Sequence, residues 1–345
     1  MHALLPQIAI QDKVIGQNNP VFIIAEAGVN HNGSLETARQ MIEIAKEAGC
    51  DAVKFQSFSV KNLLSNAVPQ NVIQMLASLE LSIDDHLMLS EYAKKTGILF
   101  LSTPFDEESA DMLEQIGMPA FKIPSGELTN HPLLKHIAKK KKPVLLSCGM
   151  ANMEEITEAV EIILRENHQL ILLQCTTSYP CLPEDANLMV IQSLYHAFGL
   201  LVGYSDHTLG TTAAIIAVAL GARVIEKHFT LNTSLPGPDH KASVEPIQLK
   251  DLVQKIREAE QCLGKAEKFL THSEIPAYQQ VRKGITAKRD ISQGEVITPE
   301  IICIKRPAIG ILPAHIDMVI GSRARVDIAE DEPIGWDKIE RCCAG

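Results

Sequence analysis

Two histidines of this chain stand at a spacing that suits a metal site. His207 and His228 are 21 positions apart, which is the length of one helix and one strand, so both side chains would lie at neighbouring strand ends. Two imidazoles with open coordination positions suit Mn²⁺, Fe, Co or Zn, with Mg²⁺ also accepted. Two ordinary buried or capping histidines would show the same spacing, so the spacing alone leaves both interpretations open.

Two lysines stand inside apolar segments, where a charged side chain needs a partner. Lys54 lies within AVKF and Lys122 within AFKI, and lysine is rarely fully buried alone. If both converge on one pocket, they form an anion site for phosphate or carboxylate. The alternatives are salt bridges to Glu26 and Glu226, or a Schiff-base lysine of the aldolase type, since burial lowers the pKa of an amine.

A proline-rich loop is a further candidate for substrate contact. The segment LNTSLPGPDHKAS, residues 231–243, contains Pro-Gly-Pro, which forces a turn. This loop would present Asp239 and His240 above the neighbouring strand ends. We therefore expect it to lie over the mouth of the site.

The elements that must position these residues alternate along the chain. Short apolar segments rich in β-branched residues predict strands at 21–26, 51–56, 98–102, 119–124, 143–147, 169–175, 200–205 and 222–228. Amphipathic segments predict helices at 34–49, 83–96, 106–117, 131–140, 152–166, 187–198, 208–221 and 245–264. Uniformly apolar strands are typical of parallel sheets, and eight strand–helix units predict a (β/α)₈ TIM barrel. A doubly wound sheet is the alternative, but its Gly-rich first turn is absent.

Polar residues follow the predicted strands at the ends where barrel enzymes carry their catalytic groups. They include Glu26, Lys54, Gln56, Thr103, Lys122, Ser125, Glu127, Thr177, Tyr179, Ser205, His207, Glu226 and His228. The long interval 57–97 between the second and third strands predicts an active-site loop followed by the helix at 83–96. The sequence thus predicts one site at one rim of the barrel.

The periodic pattern also divides the chain. It predicts a catalytic barrel over residues 1–265, a linker over 266–282 where the pattern lapses, and a small β-rich domain over 283–345. A second domain of this size holds little more than a few strands and helical turns.

Composition excludes several classes of protein. The chain of 345 residues has 46% hydrophobic but only 4% aromatic residues and a formal net charge of −10. An aliphatic core follows, and the acidic balance argues against nucleic acid or an anionic membrane as partner. No apolar run approaches the length of about 20 residues that spans a bilayer. Eight cysteines without a CxxC pair, and no indication of a signal peptide, favour a reduced cytoplasmic protein.

The motifs at these positions resemble those of one family. IAEAGVNHNGS (24–34), VKFQ (53–56), STPFD (102–106), FKIPSGE (121–127), QCTTSYP (174–180), GYSDHTLG (203–210), EKHFTL (226–231) and GPDHKAS (237–243) are similar to the sialic acid synthase family. GITAKRDISQGEVIT and IKRPAIGI resemble that family's antifreeze-like, SAF-type C-terminal domain. Eight motifs in the family's order form a far more specific signal than any one of them.

The resemblance implies both a fold and a reaction. It implies a TIM barrel followed by a small antifreeze-like (SAF) β-rich domain, in a domain-swapped homodimer. It implies that phosphoenolpyruvate and N-acetylmannosamine, an N-acetylated amino sugar, are condensed with water to N-acetylneuraminate and phosphate. It also implies a divalent metal, Mn²⁺ or Mg²⁺.

Residue by residue, the resemblance assigns His207 and His228 to the metal. It assigns phosphoenolpyruvate to Lys54, Thr103, Lys122, Ser125 and Ser205, and the sugar to Glu26, Gln56, Tyr179 and Asp239. Glu127 matches the acid/base candidate, with Glu26 and Lys54 at the same reacting centre. Arg306 matches an arginine that reaches the partner subunit's site and binds the N-acetyl group. Thr177 departs from the pattern, because some members have asparagine there, and this puts its phosphate contact in doubt.

Three alternatives remain from the sequence. Another nonulosonate synthase would make legionaminic or pseudaminic acid from a 2,4-diacetamido-6-deoxy sugar. More remotely, a 3-deoxy-heptulosonate-type synthase would need a site for a phosphorylated sugar. An ice- or sugar-binding protein would need a regular threonine array, but residues 283–345 contain only Thr286 and Thr298.

Overall fold

The structure is a computed structural model that describes residues 7–340, apart from the side chain of Gln279. Residues 1–6 of the predicted barrel domain and residues 341–345 of the predicted small domain therefore lie outside the described residues. The chain folds into two compact units, with the boundary between Gly264 and Lys265.

The first unit opens with a hairpin that the sequence pattern does not reveal. Strands β1 (Gln7–Ile10) and β2 (Lys13–Gly16) pair antiparallel. Ile8, Ile10 and Ile15 are buried in the main core, and Lys13 pairs with Asp51 at 3.0 Å. Because Asp51 immediately precedes a barrel strand, this pair holds the hairpin against the amino-terminal side of the barrel.

Eight parallel strands form the barrel, and each lies mostly or wholly within one of the predicted strand segments. They are β3 (Phe22–Gly28), β4 (Ala52–Ser57), β5 (Leu99–Pro104), β6 (Phe121–Ile123), β7 (Val144–Ser147), β8 (Leu170–Cys175), β9 (Leu201–Asp206) and β10 (Val224–His228). Their hydrogen-bonded order is β5-β4-β3-β10-β9-β8-β7-β6. The end strands β5 and β6 lie side by side, with backbones less than 8 Å apart, so the sheet is nearly closed. The predicted barrel is confirmed.

The helices of this unit follow the predicted pattern, with two short additional ones between β4 and α4. They are α1 (Leu35–Ala48), α2 (Val60–Leu63), α3 (Gln70–Ala77), α4 (Ile83–Thr96), α5 (Glu107–Gln115), α6 (His131–Lys139), α7 (Met153–Leu164), α8 (Val190–Phe198), α9 (Thr212–Ala219) and α10 (Pro246–Leu263). Ser34 caps α1 by accepting from the amide of Thr37, and Gly49 ends it with φ 88°. In the part of the chain from 7 to 340, every helix is too short or too polar to cross a bilayer.

Helix α9 begins four residues later than the pattern predicts, and a side-chain contact explains the delay. Both the amide and the hydroxyl of Thr208 donate to Asp206 Oδ1 at 2.8 Å. This turn satisfies the Thr208 amide locally, as aspartate commonly does outside helices. The residues that follow β9 are therefore held as a loop at the rim.

The second unit has its own small core. Its helices are α11 (Ile275–Val281), within the segment predicted as a linker, and α12 (Ile316–Val319). Its strands pair antiparallel as β11 (Gly284–Ala287) with β12 (Ile302–Lys305), and β13 (Arg323–Ala324) with β14 (Ile339–Glu340). Isoleucine dominates the buried cluster, as the shortage of aromatic residues requires.

An ion pair lies fully buried beneath the carboxyl ends of β9 and β10. Lys227 Nζ lies 2.8 Å from Asp206 Oδ2, and both side chains have 0% exposure. Lys227 also donates to the Thr208 carbonyl, and the two charged residues are register partners in the sheet. Burial lowers the pKa of Lys227, against the opposing charge of Asp206. The pair thus ties two neighbouring strands and the loop that follows β9.

We expect Lys227→Met to lower the free energy of unfolding by ~3–5 kcal/mol, because it leaves the Asp206 carboxylate buried without a counter-charge. The double variant Asp206→Asn with Lys227→Met removes that charge and should recover part of the loss. Urea denaturation measures both. A single variant as stable as the parent chain would contradict this account.

Candidate active site

A cavity of about 360 Å³ opens at the carboxyl ends of the barrel strands. It gathers side chains that the sequence places on separate strands. Its lining includes Glu26, Lys54, Gln56, Thr103, Lys122, Ser125, Thr177, Tyr179, Ser205, His207, His228 and Asp239. These residues are up to about two hundred positions apart in the sequence, and the barrel brings them together at one rim.

Four alternating charges form the floor of the cavity. Lys54 Nζ lies 3.0 Å from Glu26 and 3.4 Å from Glu226, and Lys122 Nζ lies 3.2 Å from Glu226. All four side chains are at most 4% exposed, and Ser205 donates to Glu226 at 2.9 Å. The salt bridges considered from the sequence are thus formed, and they hold two ammonium groups in one pocket.

The two carboxyls of this network differ in their affinity for protons. Burial raises the pKa of Glu26 to about 7, although Lys54 opposes the rise. Burial acts to raise the pKa of Glu226 as well, but Lys122 and Lys54 outweigh it and bring the pKa to about 2. Near neutral pH, Glu26 therefore exchanges a proton readily while Glu226 stays ionised. When Glu26 is protonated, one carboxylate faces two ammonium groups, and the network favours an added anion.

The same contacts bear on Schiff-base chemistry. Burial acts to lower the pKa of Lys54, but the charges of Glu226 and Glu26 outweigh it, and the pKa is raised. An amine that stays protonated is a poor nucleophile. The geometry therefore favours electrostatic binding by Lys54 over aldolase chemistry.

A cluster of hydroxyl groups lies beside the lysines. The Gly149 amide donates to Ser125 Oγ at 2.9 Å, and the Ser147 and Thr177 hydroxyls are buried without a hydrogen-bond partner among the residues described. A Cβ at Gly149 would lie 2.4 Å from Thr177 Oγ1 and 2.8 Å from Ser125 Oγ. Glycine is therefore needed for these hydroxyls to converge, and the Thr177 hydroxyl remains free to donate to a ligand.

Ser147 is a cavity residue that the sequence analysis does not single out. It is the last residue of β7 and its side chain is 0% exposed. The predicted strand 143–147 ends at this serine, at the position where several other barrel strands carry a polar group, so the sequence contained a signal for it.

The two imidazoles face each other with ring centroids 5.4 Å apart. His207 Nδ1 lies 2.8 Å from the Thr176 carbonyl oxygen, so Nδ1 holds the proton and Nε2 keeps its lone pair. His228 Nδ1 has no hydrogen-bond partner in the described residues and lies 3.7 Å from Asp239 Oδ2. Burial lowers the pKa of both histidines, which keeps them in the neutral form that binds metal ions.

These donors fit only part of a metal coordination shell. Within residues 7–340, no three or more His, Cys, Asp or Glu side chains are grouped as metal ligands. Two neutral imidazoles, one with an orphaned nitrogen, suit a divalent cation whose remaining positions are filled by water or substrate oxygens. Tyr179 covers them, with its ring centroid 4.1 Å from that of His207 and 5.6 Å from that of His228.

Two predicted site residues lie outside the cavity lining. Glu127 belongs to a short 3₁₀ turn after β6, where its carboxylate accepts from Asn130 at 2.7 Å. Arg306 is exposed and belongs to the second unit, directly after β12. His240, in the proline-rich loop, is engaged elsewhere, because its Nδ1 lies 2.7 Å from Thr230 Oγ1.

Comparisons with known proteins agree with the motifs. The NeuB family matches residues 41–268, and the SAF domain family matches residues 282–340. The chain is 45% identical over 342 residues to an N,N'-diacetyllegionaminic acid synthase of Legionella pneumophila subsp. pneumophila, covering 94% of this chain and 96% of that protein. It is 47% identical over 327 residues to an N,N'-diacetyllegionaminic acid synthase of Campylobacter jejuni, covering 90% and 98%.

A solved structure agrees as well. The N-acetylneuraminic acid (sialic acid) synthetase of Leptospira borgpetersenii serovar Hardjo-bovis, in complex with citrate, matches with a TM-score of 0.76 at 38% identity. The match covers 80% of this chain and 96% of that one. The resemblance to sialic acid synthases and the fold that it implied are thereby confirmed. The chain belongs to the NeuB family.

Proposed function

We propose that this protein is a nonulosonic acid synthase that condenses phosphoenolpyruvate with an N-acetylated amino sugar and releases phosphate. The observation that carries the proposal is the cavity in which Lys54 and Lys122, a cluster of hydroxyl groups and two neutral imidazoles meet. This combination suits a small substrate that carries both a phosphate and a carboxylate, beside a polarised carbonyl group.

The sugar that we favour is a 2,4-diacetamido-6-deoxy hexose, giving a legionaminic acid. Two relatives named for that product are 45% and 47% identical to this chain, whereas the sialic acid synthetase structure is 38% identical. N-acetylmannosamine, giving N-acetylneuraminate, is the second candidate, because the motifs of the family do not distinguish these sugars.

The lysines and hydroxyls hold phosphoenolpyruvate. Lys54 Nζ already contacts Thr103 Oγ1 at 2.8 Å, and Ser125 stands beside the buried hydroxyls of Ser147 and Thr177. Buried ammonium and hydroxyl donors bind anionic oxygens strongly because water does not compete. They would fix the methylene carbon of phosphoenolpyruvate in attack geometry against the sugar aldehyde.

The reaction forms a bond between that methylene carbon and the aldehyde carbon. Water adds to the second carbon of the former phosphoenolpyruvate. The C–O bond to phosphate then breaks and a ketone forms, as the hydroxyl proton of the intermediate passes to the departing phosphate. The new hydroxyl group needs a proton, and the attacking water must lose one. Glu26 lines the cavity and its pKa of about 7 suits both transfers. Glu26 therefore fits this role better than Glu127, whose carboxylate is bonded to Asn130.

A divalent cation, Mn²⁺ or Mg²⁺, would be held by His207 and His228 and, when bound, polarises the aldehyde oxygen of the sugar. Asp239 Oδ2 lies 3.7 Å from His228 Nδ1, beyond hydrogen-bond distance, on the side of the cavity where the sugar would bind. Gln56 and Tyr179, which line the same cavity, would contact the sugar.

Phosphate release with a panel of sugars tests the reaction. We expect rapid release from phosphoenolpyruvate with the 2,4-diacetamido-6-deoxy sugar, slower release with N-acetylmannosamine, and none with arabinose 5-phosphate, since the charged floor is already committed to one phosphate. N-acetylmannosamine 6-phosphate is the control that separates the effect of a phosphate group on the sugar from the effect of the sugar itself. Turnover confined to arabinose 5-phosphate would instead establish a 3-deoxy sugar acid synthase of another class.

Removal of metal tests the role of the imidazoles. Exhaustive chelation should abolish phosphate release, and added Mn²⁺ should restore it. His207→Ala should weaken Mn²⁺ binding by roughly 10-fold or more, measured by titration calorimetry without substrates. His131, a half-buried helix residue away from the cavity lining, provides the matched control His131→Ala. Full turnover after chelation would refute the metal site.

We propose that Arg306 of one subunit serves the cavity of its partner in a domain-swapped homodimer, where it binds the N-acetyl group. Arg306→Ala should then raise the KM for the sugar by roughly 10-fold and leave the KM for phosphoenolpyruvate unchanged, as for a lost hydrogen bond from a charged donor. Lys305→Ala removes the neighbouring cation as a control. An unchanged sugar KM in Arg306→Ala would remove this role.

A further inference from the structure

The cavity has a second, apolar side that the proposed chemistry does not use. Val29, Leu76 and Phe105 line it. Val29 forms a buried cluster with Phe58 and Leu79, and Leu76 and Phe105 pack against that cluster. We call Val29, Leu76 and Phe105 the apolar wall.

The apolar wall is assembled from three separate loops of the barrel. Val29 follows β3, Leu76 lies on α3 in the long segment between β4 and α4, and Phe105 follows β5. The rings of Phe58 and Phe105 meet edge to face, with centroids 6.0 Å apart. Because the cluster is packed from several sides, the wall presents a fixed surface to a ligand.

Polar groups mark the boundary between the apolar wall and the reacting centre. A Cβ at Gly28, next to Val29 in the chain, would lie 3.2 Å from Asp239 Oδ2 and 3.4 Å from Gln56 Nε2, and Gln56 donates to Glu26 at 3.3 Å. In the proposed reaction, the lysine network and the imidazoles bind the reacting atoms of the two substrates, and the polar residues of this boundary bind the neighbouring polar groups of the sugar. The far end of the sugar would then contact the apolar wall.

The side chains of the apolar wall carry no hydrogen-bonding atom. A hydroxyl group placed against them loses its water without gaining a partner, whereas a methyl group loses nothing and gains contact area. Apolar pockets of this kind discriminate by roughly 10- to 100-fold between ligands that differ by one such group.

We infer that the apolar wall recognises the methyl group of a 6-deoxy sugar and is the specificity-determining surface of this enzyme. The inference rests on the proposed function, since it concerns the sugar of that reaction. A sugar with a C6 hydroxyl would bind more weakly, and one with a C6 phosphate would be excluded.

The test uses a matched pair of 2,4-diacetamido sugars, with and without the C6 hydroxyl, and measures kcat/KM for phosphate release. The parent enzyme should prefer the 6-deoxy sugar by roughly 10- to 100-fold. Leu76→Asn should reduce that preference at least several-fold, with the KM for phosphoenolpyruvate unchanged. Leu76→Met keeps an apolar surface and should keep the preference.

Phe105→Tyr adds one hydroxyl to the same surface and provides a second variant should Leu76→Asn fold poorly; it too should narrow the preference. Equal kcat/KM values for the two sugars in the parent enzyme would overturn the inference while leaving the proposed function standing. A preference that survives in both polar variants would also overturn it. No phosphate release with either sugar would overturn the proposed function itself, and the inference with it.

Discussion

The buried charges of Lys54, Lys122, Glu26 and Glu226 are the constraint on which the rest of the structure depends. Each charge would be prohibitively unstable alone in this interior, so the strands that carry them must meet in one arrangement. Glu26 on β3 is the register partner of Lys54 on β4, while Glu226 and Lys122 come from β10 and β6. The network therefore links strands that are not neighbours in the sheet, so the folded barrel also brings the charged groups of the site together.

Around this network, several polar groups of the cavity have no hydrogen-bond partner within the part of the protein that the structure describes. The hydroxyls of Ser147 and Thr177 and the Nδ1 of His228 are buried and unpaired among the described residues. Buried polar atoms in folded proteins are nearly always paired, so these three groups are free to bind the substrate and the cation of the proposed reaction. In the Asp206–Lys227 pair, by contrast, the ammonium group donates both to the carboxylate and to the Thr208 carbonyl, and these contacts tie β9 to β10.

Periodicity was enough to predict the eight barrel strands and most of the rim, because strand ends in a parallel barrel all point to one face. It did not reveal the hairpin of β1 and β2, whose four-residue strands are too short for a clear alternation. It also missed the apolar wall, because nothing local distinguishes Leu76 from any amphipathic helix residue. Its relation to Val29 and Phe105 exists only in three dimensions, as does the separation of Glu127 from the cavity.

The cluster behind the apolar wall is separate from the main barrel core, and this separation has a consequence for how such enzymes diverge. Substitutions in the segment between β4 and α4 can reshape the wall without disturbing the buried charges of the lysine network. If the apolar wall selects the sugar, as we propose, a lineage can change the sugar that it consumes and keep the same reaction. For protein engineering, the same boundary marks the segment to exchange when one barrel is to be adapted to another member of this class of sugars.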